Sequence, residues 1–86
     1  MYVHNVTANV LSSSSSDYPA YIAGVSNGIV SNVVFDNVNI TSAKSYKMPI
    51  SYANGITFIN CIINKVPTKN GTNITVGTGV TNTSGF

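Results

Sequence analysis

Few residues in this chain could take part in bond-making chemistry. The ionisable set is His4, Asp17, Asp36, Cys61, the lysines Lys44, Lys47, Lys65 and Lys69, and five tyrosines; there is no arginine. A glycosidase-type acid/base pair needs two carboxyl groups held within one site, one with a raised pKa. Asp17 sits in a serine-rich stretch before Tyr18. Asp36 sits inside a strand pattern and, by alternation from Phe35, points outward, so the two are read as separate surface or turn residues. His4 has no carboxylate near it in sequence to orient it as a general base. Cys61 is the only cysteine, which excludes an internal disulfide and any thiolate metal cluster. No catalytic residue, no metal site and no cofactor are assigned.

Charge narrows the partners. Four lysines against two aspartates give a net charge of +2, and the charged fraction of 7% is far below that of an average soluble domain. No basic block tracks a phosphate backbone and no arginine reads bases, so nucleic acid is not expected. No apolar run reaches membrane-spanning length, and Met1 to Leu11 lacks the basic start and continuous apolar core of a signal peptide. Asn5, Asn39, Asn70, Asn73 and Asn82 each begin a glycosylation sequon, which points to an extracellular or secreted setting; an Asn- and Thr-rich chain also produces such matches by chance.

A repeat must position these residues. Three segments resemble one another: residues 3–11, 30–40 and 54–63. Phe35 matches Phe58, Asn37 matches Asn60 and Ile40 matches Ile63 at a spacing of 23, while Asn9 matches Asn37 at 28. A shorter motif follows each segment: Tyr18 to Ile22 matches Tyr46 to Ile50 at 28, and Ile50 to Tyr52 matches Ile74 to Val76 at 24. Such periods signal a solenoid whose units bury their apolar faces by stacking. Apolar residues two apart, crowded β-branched residues and Gly/Asn/Ser punctuation make its elements strands.

The expected fold is therefore all-β, a parallel β-helix (solenoid) of about three coils over residues 1–86, with an irregular tail at 78–86. Val33, Phe35, Val38, Ile40, Ile50, Ile56, Phe58, Cys61, Ile63 and Ile74 are expected to face inward. Phe35 and Phe58 should stack, and Asn9, Asn37 and Asn60 should share a column. Those asparagines either form an axial hydrogen-bonded ladder or each serve their own bend. Tyr18 and Tyr46 share a second column, where they either contact sugar or stack as part of the fold.

Val30-Ser-Asn-Val-Val-Phe-Asp-Asn-Val-Asn-Ile-Thr-Ser, followed by Ile50-Ser-Tyr-Ala-Asn-Gly-Ile-Thr-Phe-Ile-Asn-Cys, resembles the final coils of the polygalacturonase-like glycoside hydrolases. Tyr18-Pro-Ala-Tyr-Ile-Ala-Gly-Val is similar to the segment before their penultimate strand. The resemblance covers roughly residues 3–76. It implies a right-handed β-helix and a parent activity of inverting pectin hydrolysis. The family's Asn-Thr-Asp, Asp-Asp, His-Gly and Arg-Ile-Lys motifs do not occur here.

Three functions follow as expectations. The chain is a non-catalytic β-helical segment of such a hydrolase, a self-stacking structural module that forms oligomers or filaments, or a carbohydrate-binding module. Its partners are then its own copies or upstream coils stacked end to end, together with polysaccharide. Purified chain should release no reducing ends from polygalacturonate. Turnover that disappears in Asp17→Asn or Asp36→Asn would overturn this reading of the two carboxylates.

Overall fold

A computed structural model describes residues 1–10, 20–42 and 47–86. The described residues are all-β, without helix. Nine strands follow in order: β1 (Tyr2–Val10), β2 (Ile22–Ala23), β3 (Val30–Ser42), β4 (Met48–Ser51), β5 (Ala53–Ile59), β6 (Ile62–Ile63), β7 (Val66–Pro67), β8 (Ile74–Val76) and β9 (Val80–Ser84).

They form two sheets. In the larger, β1, β3, β5 and β9 lie side by side in parallel, β6 continues the β5 level beside β3, and β7 folds back antiparallel on β6. In the smaller, β2, β4 and β8 are parallel. Parallel neighbours need a crossover between them, and here the chain makes it by visiting the sheets in turn. β1 is followed by β2, β3 by β4, and the β5 to β7 level by β8.

Side-chain alternation decides which residues enter the core, and it is interrupted in a regular way. Val33, Val38 and Ile40 of β3 are buried and Phe35 is half-buried. From Phe35 to Val38 the step is three residues, not two. Asn37 lies between them with φ 56, and a left-handed residue inserted in a strand bends it and shifts the alternation by one. The same device recurs at Asn5 (φ 55) and Asn60 (φ 50), which share Asn37's level in the register. A second column joins Asn32 (φ 57), Gly55 (φ 75) and Asn82 (φ 53). Asn tolerates this conformation better than other residues with a side chain, and Gly adopts it without steric cost. At Gly55 a Cβ would also lie 2.8 Å from Oδ1 of Asn32, so the column is tight.

The core lies between the sheets. Ile50, Ile56 and Ile74 are fully buried, and Ile22, Met48, Ala53, Phe58, Cys61 and Ile63 surround them. Of the ten expected inward residues, nine are buried and Phe35 packs half-exposed against the cluster. Phe35 and Phe58 stack with centroids 4.9 Å apart, and Phe86 meets Phe58 edge-on at 5.0 Å.

Four expectations need correction. The larger sheet is mixed, not wholly parallel, because the β6–β7 hairpin reverses the chain. Its two-residue loop, Asn64 and Lys65, has φ 51 and 67, the both-positive pattern of a type I′ turn. The first repeat is offset by 32 residues, not 28: Val6 faces Val38 and Asn9 faces Thr41, so Asn5 replaces Asn9 in the asparagine column. In the smaller sheet Met48 faces Ile74 and Ile50 faces Val76, an offset of 26 in place of 24. The slip of two in the smaller sheet leaves its inward face unchanged, and no residue of the first segment is among the ten expected inward, so the core assignment survives. Residues 80–84 are the strand β9 against β5, within the stretch expected to be an irregular tail. The 28-residue match of Ile22 to Ile50 and the 23-residue match of Phe35 to Phe58 hold.

The left-handed column makes a specific demand on residue type. Asn37→Val should lose about 1–2 kcal/mol from the backbone alone, because a β-branched residue resists positive φ. Asn37→Gly should lose less, giving up the side-chain hydrogen bond but not the conformation. Denaturant unfolding of the two variants measures the difference, and equal losses would overturn the role given to φ.

Candidate functional site

The exposed face of β1 and β3 gathers most of the polar side chains that sequence spacing leaves scattered. Tyr2 and His4 are two apart on β1 and lie on its outer side, and their rings stack with centroids 4.9 Å apart at 25°. The 32-residue register sets His4 opposite Asp36. The Tyr2 hydroxyl donates a hydrogen bond to Oδ2 of Asp36. Beside them Asn37 Nδ2 donates to Oδ1 of Asn5 at 2.9 Å, and Asn5 Nδ2 lies 3.2 Å from Nδ1 of His4.

Electrostatics fix the character of the cluster. The hydrogen bond to Asp36 raises the Tyr2 phenol above its ordinary value of 10.0, with smaller contributions from partial desolvation and from the charge of the same carboxylate. Removing the phenolic proton would set two anions side by side. Tyr2 is therefore held as a donor and is no base. A single carboxylate occupies the site, so the paired carboxyl groups of a glycosidase are not assembled among the described residues. Three or more metal-ligating side chains do not come together there either. The arrangement offers a flat ring pair rimmed by a carboxylate and two amides, suited to stacking and hydrogen bonding.

Other sequence-derived positions fall elsewhere. Asn9 is exposed and lies outside the column, whereas Asn37 and Asn60 lie within it. Tyr18, Tyr46 and Asp17 lie outside the described residues. Among the sequon asparagines, Asn5, Asn39, Asn70 and Asn82 are exposed. Asn73 is 8% exposed: Oδ1 accepts from the Lys69 amide at 2.8 Å, and Nδ2 donates to the carbonyls of Val66 and Pro67 at 3.0 and 3.1 Å. It is a structural clamp, and a glycan there would require that loop to open. The Cys61 thiol is buried and donates to the carbonyls of Phe35 and Ile59, both at 3.3 Å. Inside, an apolar cavity of about 200 Å³ runs between the β1, β3 and β5/β6 levels, lined by Val3, Val6, Phe35, Met48 and Phe58 among others.

The pairing of His4 with Asp36 escapes a reading by spacing because Asn-Val occurs twice in β1, at 5–6 and at 9–10. Matching the second copy to Asn37-Val38 hides the carboxylate that matching the first reveals. No family model, curated protein or solved structure matches the chain.

Since its folded pKa lies above the unfolded one, Tyr2 contributes stability that is complete below pH 10 and is lost as pH rises through the folded value. The tyrosinate absorbance of the wild type minus that of Tyr2→Phe should titrate above pH 10, and Asp36→Asn should bring the midpoint down. A difference titration centred at or below 10, unmoved by Asp36→Asn, would remove the hydrogen bond from the account.

Proposed function

We propose that the chain is a non-catalytic segment of a right-handed parallel β-helix, similar to the closing coils of polygalacturonase-like glycoside hydrolases, and that its role is to stack against further coils. The observation that carries this reading is the alternation between sheets: apart from the short β6 and β7, successive strands fall in the larger and the smaller sheet by turns, each from β3 onward parallel to the strand one repeat earlier. The Phe35–Phe58 stack and the two left-handed columns support it, since both repeat along the direction in which strands pile up. The β6–β7 hairpin is then an excursion from one coil.

Stacking matters physically because a pile this short is mostly ends. Four strands at ~4.8 Å spacing rise only about 14 Å, so unpaired backbone and uncovered apolar side chains form a large share of the surface. Further coils, from a second copy or from an upstream segment, would pair those groups. The secreted setting suggested by the sequons fits a polysaccharide environment.

A second reading, a carbohydrate-binding module, is favoured by the exposed Tyr2–His4 ring pair with Asp36 beside it. Rings that present an apolar face and a polar rim suit pyranose sugars.

Sedimentation over a wide range of concentration tests the stacking role. The folded chain should associate as concentration rises. A folded species that stays at 9.0 kDa throughout would overturn it.

A further inference from the structure

The cluster on the outer side of β1 and β3 holds a single anion. Asp36 is the only acid among the described residues, and no described cation pairs with it. Lys47 lies beside β4, and Lys65 and Lys69 lie beside β7. The Met1 amine is engaged by the carbonyl of Asn32 at 2.9 Å.

The hydrogen bonds within the cluster leave a definite set of groups for a ligand. Oδ2 of Asp36 accepts from the Tyr2 hydroxyl, which leaves Oδ1 of the same carboxylate to accept from outside. Asn37 spends one N–H on Oδ1 of Asn5 and keeps its own Oδ1 and a second N–H. Acceptors and donors therefore stand beside the Tyr2–His4 ring pair. Stacking covers one face of each ring, and with Tyr2 57% exposed the rest of its ring is open to a partner. A sugar hydroxyl both donates and accepts, so it can meet either kind of group, whereas a carboxylate only accepts. A sugar carboxylate placed here would also set a second anion beside Asp36 with no cation paired to either.

We propose that the outer face of Tyr2, His4 and Asp36 binds a neutral, hydroxyl-bearing glycan and discriminates against uronic acids. The proposal rests on the carbohydrate-binding reading above and adds the substrate class to it. Tyr2 has two parts in the site: its hydroxyl holds the Asp36 carboxylate in place, and its ring supplies an apolar surface for the C–H side of a pyranose. Asp36 supplies the selection, accepting from sugar hydroxyls and repelling a sugar carboxylate. The site is exposed, so that repulsion is screened by salt and its effect on affinity is moderate. A neutral ligand is the opposite of the acidic pectin that the family resemblance implies for the parent hydrolases, so this surface selects differently from such a parent's cleft.

The experiment is calorimetric titration of the whole chain at about pH 8, where carboxylates are ionised. Neutral glucans, galactans and mannans are screened beside polygalacturonate, and the tightest neutral binder is then compared with the same oligosaccharide oxidised at C6 to the uronic acid. The neutral form should bind about tenfold more tightly at low salt, and the gap should narrow at high salt. Asp36→Asn keeps the shape of the site without its charge and should remove the preference. Tyr2→Ala should weaken both forms while the circular dichroism stays unchanged; should that variant fail to fold, chemical-shift changes confined to β1 and β3 when the neutral glycan is added to wild type supply the same readout. A uronate bound as tightly as its neutral counterpart, or a preference that survives in Asp36→Asn, overturns the charge selection and leaves the carbohydrate reading standing. Binding that ignores Tyr2→Ala, or shifts resonances on other strands, overturns the assigned site. A chain that binds none of the glycans overturns the substrate class and the carbohydrate reading together.

Discussion

The architecture depends on a small number of backbone positions held at positive φ. A strand that must turn a corner while keeping one face in the core needs a residue that bends the chain and resets the alternation. Asn5, Asn37 and Asn60 do this at one corner, and Asn32, Gly55 and Asn82 at another. Each position carries a steric cost for an L-residue, and asparagine bears it with the least loss among those with a side chain. The amide side chain then becomes available for bonding along the pile, as between Asn37 and Asn5. Ladder and bend, which stand as alternatives when only the sequence is considered, are two uses of the same residue.

From those corners follows the composition. Inward positions take β-branched and aromatic side chains, corners take Asn and Gly, and outer faces take Ser, Thr and Asn, so little of the chain is left for charge. Low charge has a consequence at the edges. Proteins with exposed strands usually guard them with lysine or proline. Here Pro67, Lys65 and Lys69 lie in or beside β7, and Lys47 and Pro49 at β4, while β1 carries neither residue type.

Much of this was legible in the residues, and the failures have definite physical causes. Phe35, Phe58, Ile40 and Ile63 are paired correctly from spacing because an aromatic followed at fixed distance by aliphatic residues occurs once in each of the second and third segments. The first segment is misaligned because Asn-Val occurs twice within it, and a match made on that dipeptide alone accepts the second copy although it sets Thr7, not Val3, opposite Phe35. The β6–β7 hairpin escapes notice because its turn, Asn64-Lys65, lacks the glycine that marks most such turns. Asn73 reads as a sequon, yet a short loop that must satisfy its own buried carbonyls and amides has recruited its side chain.

The exposed cluster shows how register creates chemistry that spacing does not contain. Tyr2 and Asp36 are 34 residues apart, and only the 32-residue offset brings phenol and carboxylate together. The same meeting limits what the cluster can do. A phenol whose pKa is raised is a weaker nucleophile source at neutral pH. His4 contacts Asn5 through Nδ1 and stacks on Tyr2. The groups satisfy one another at the surface, so what this cluster offers a partner is the outer side of its ring pair rather than a reactive group.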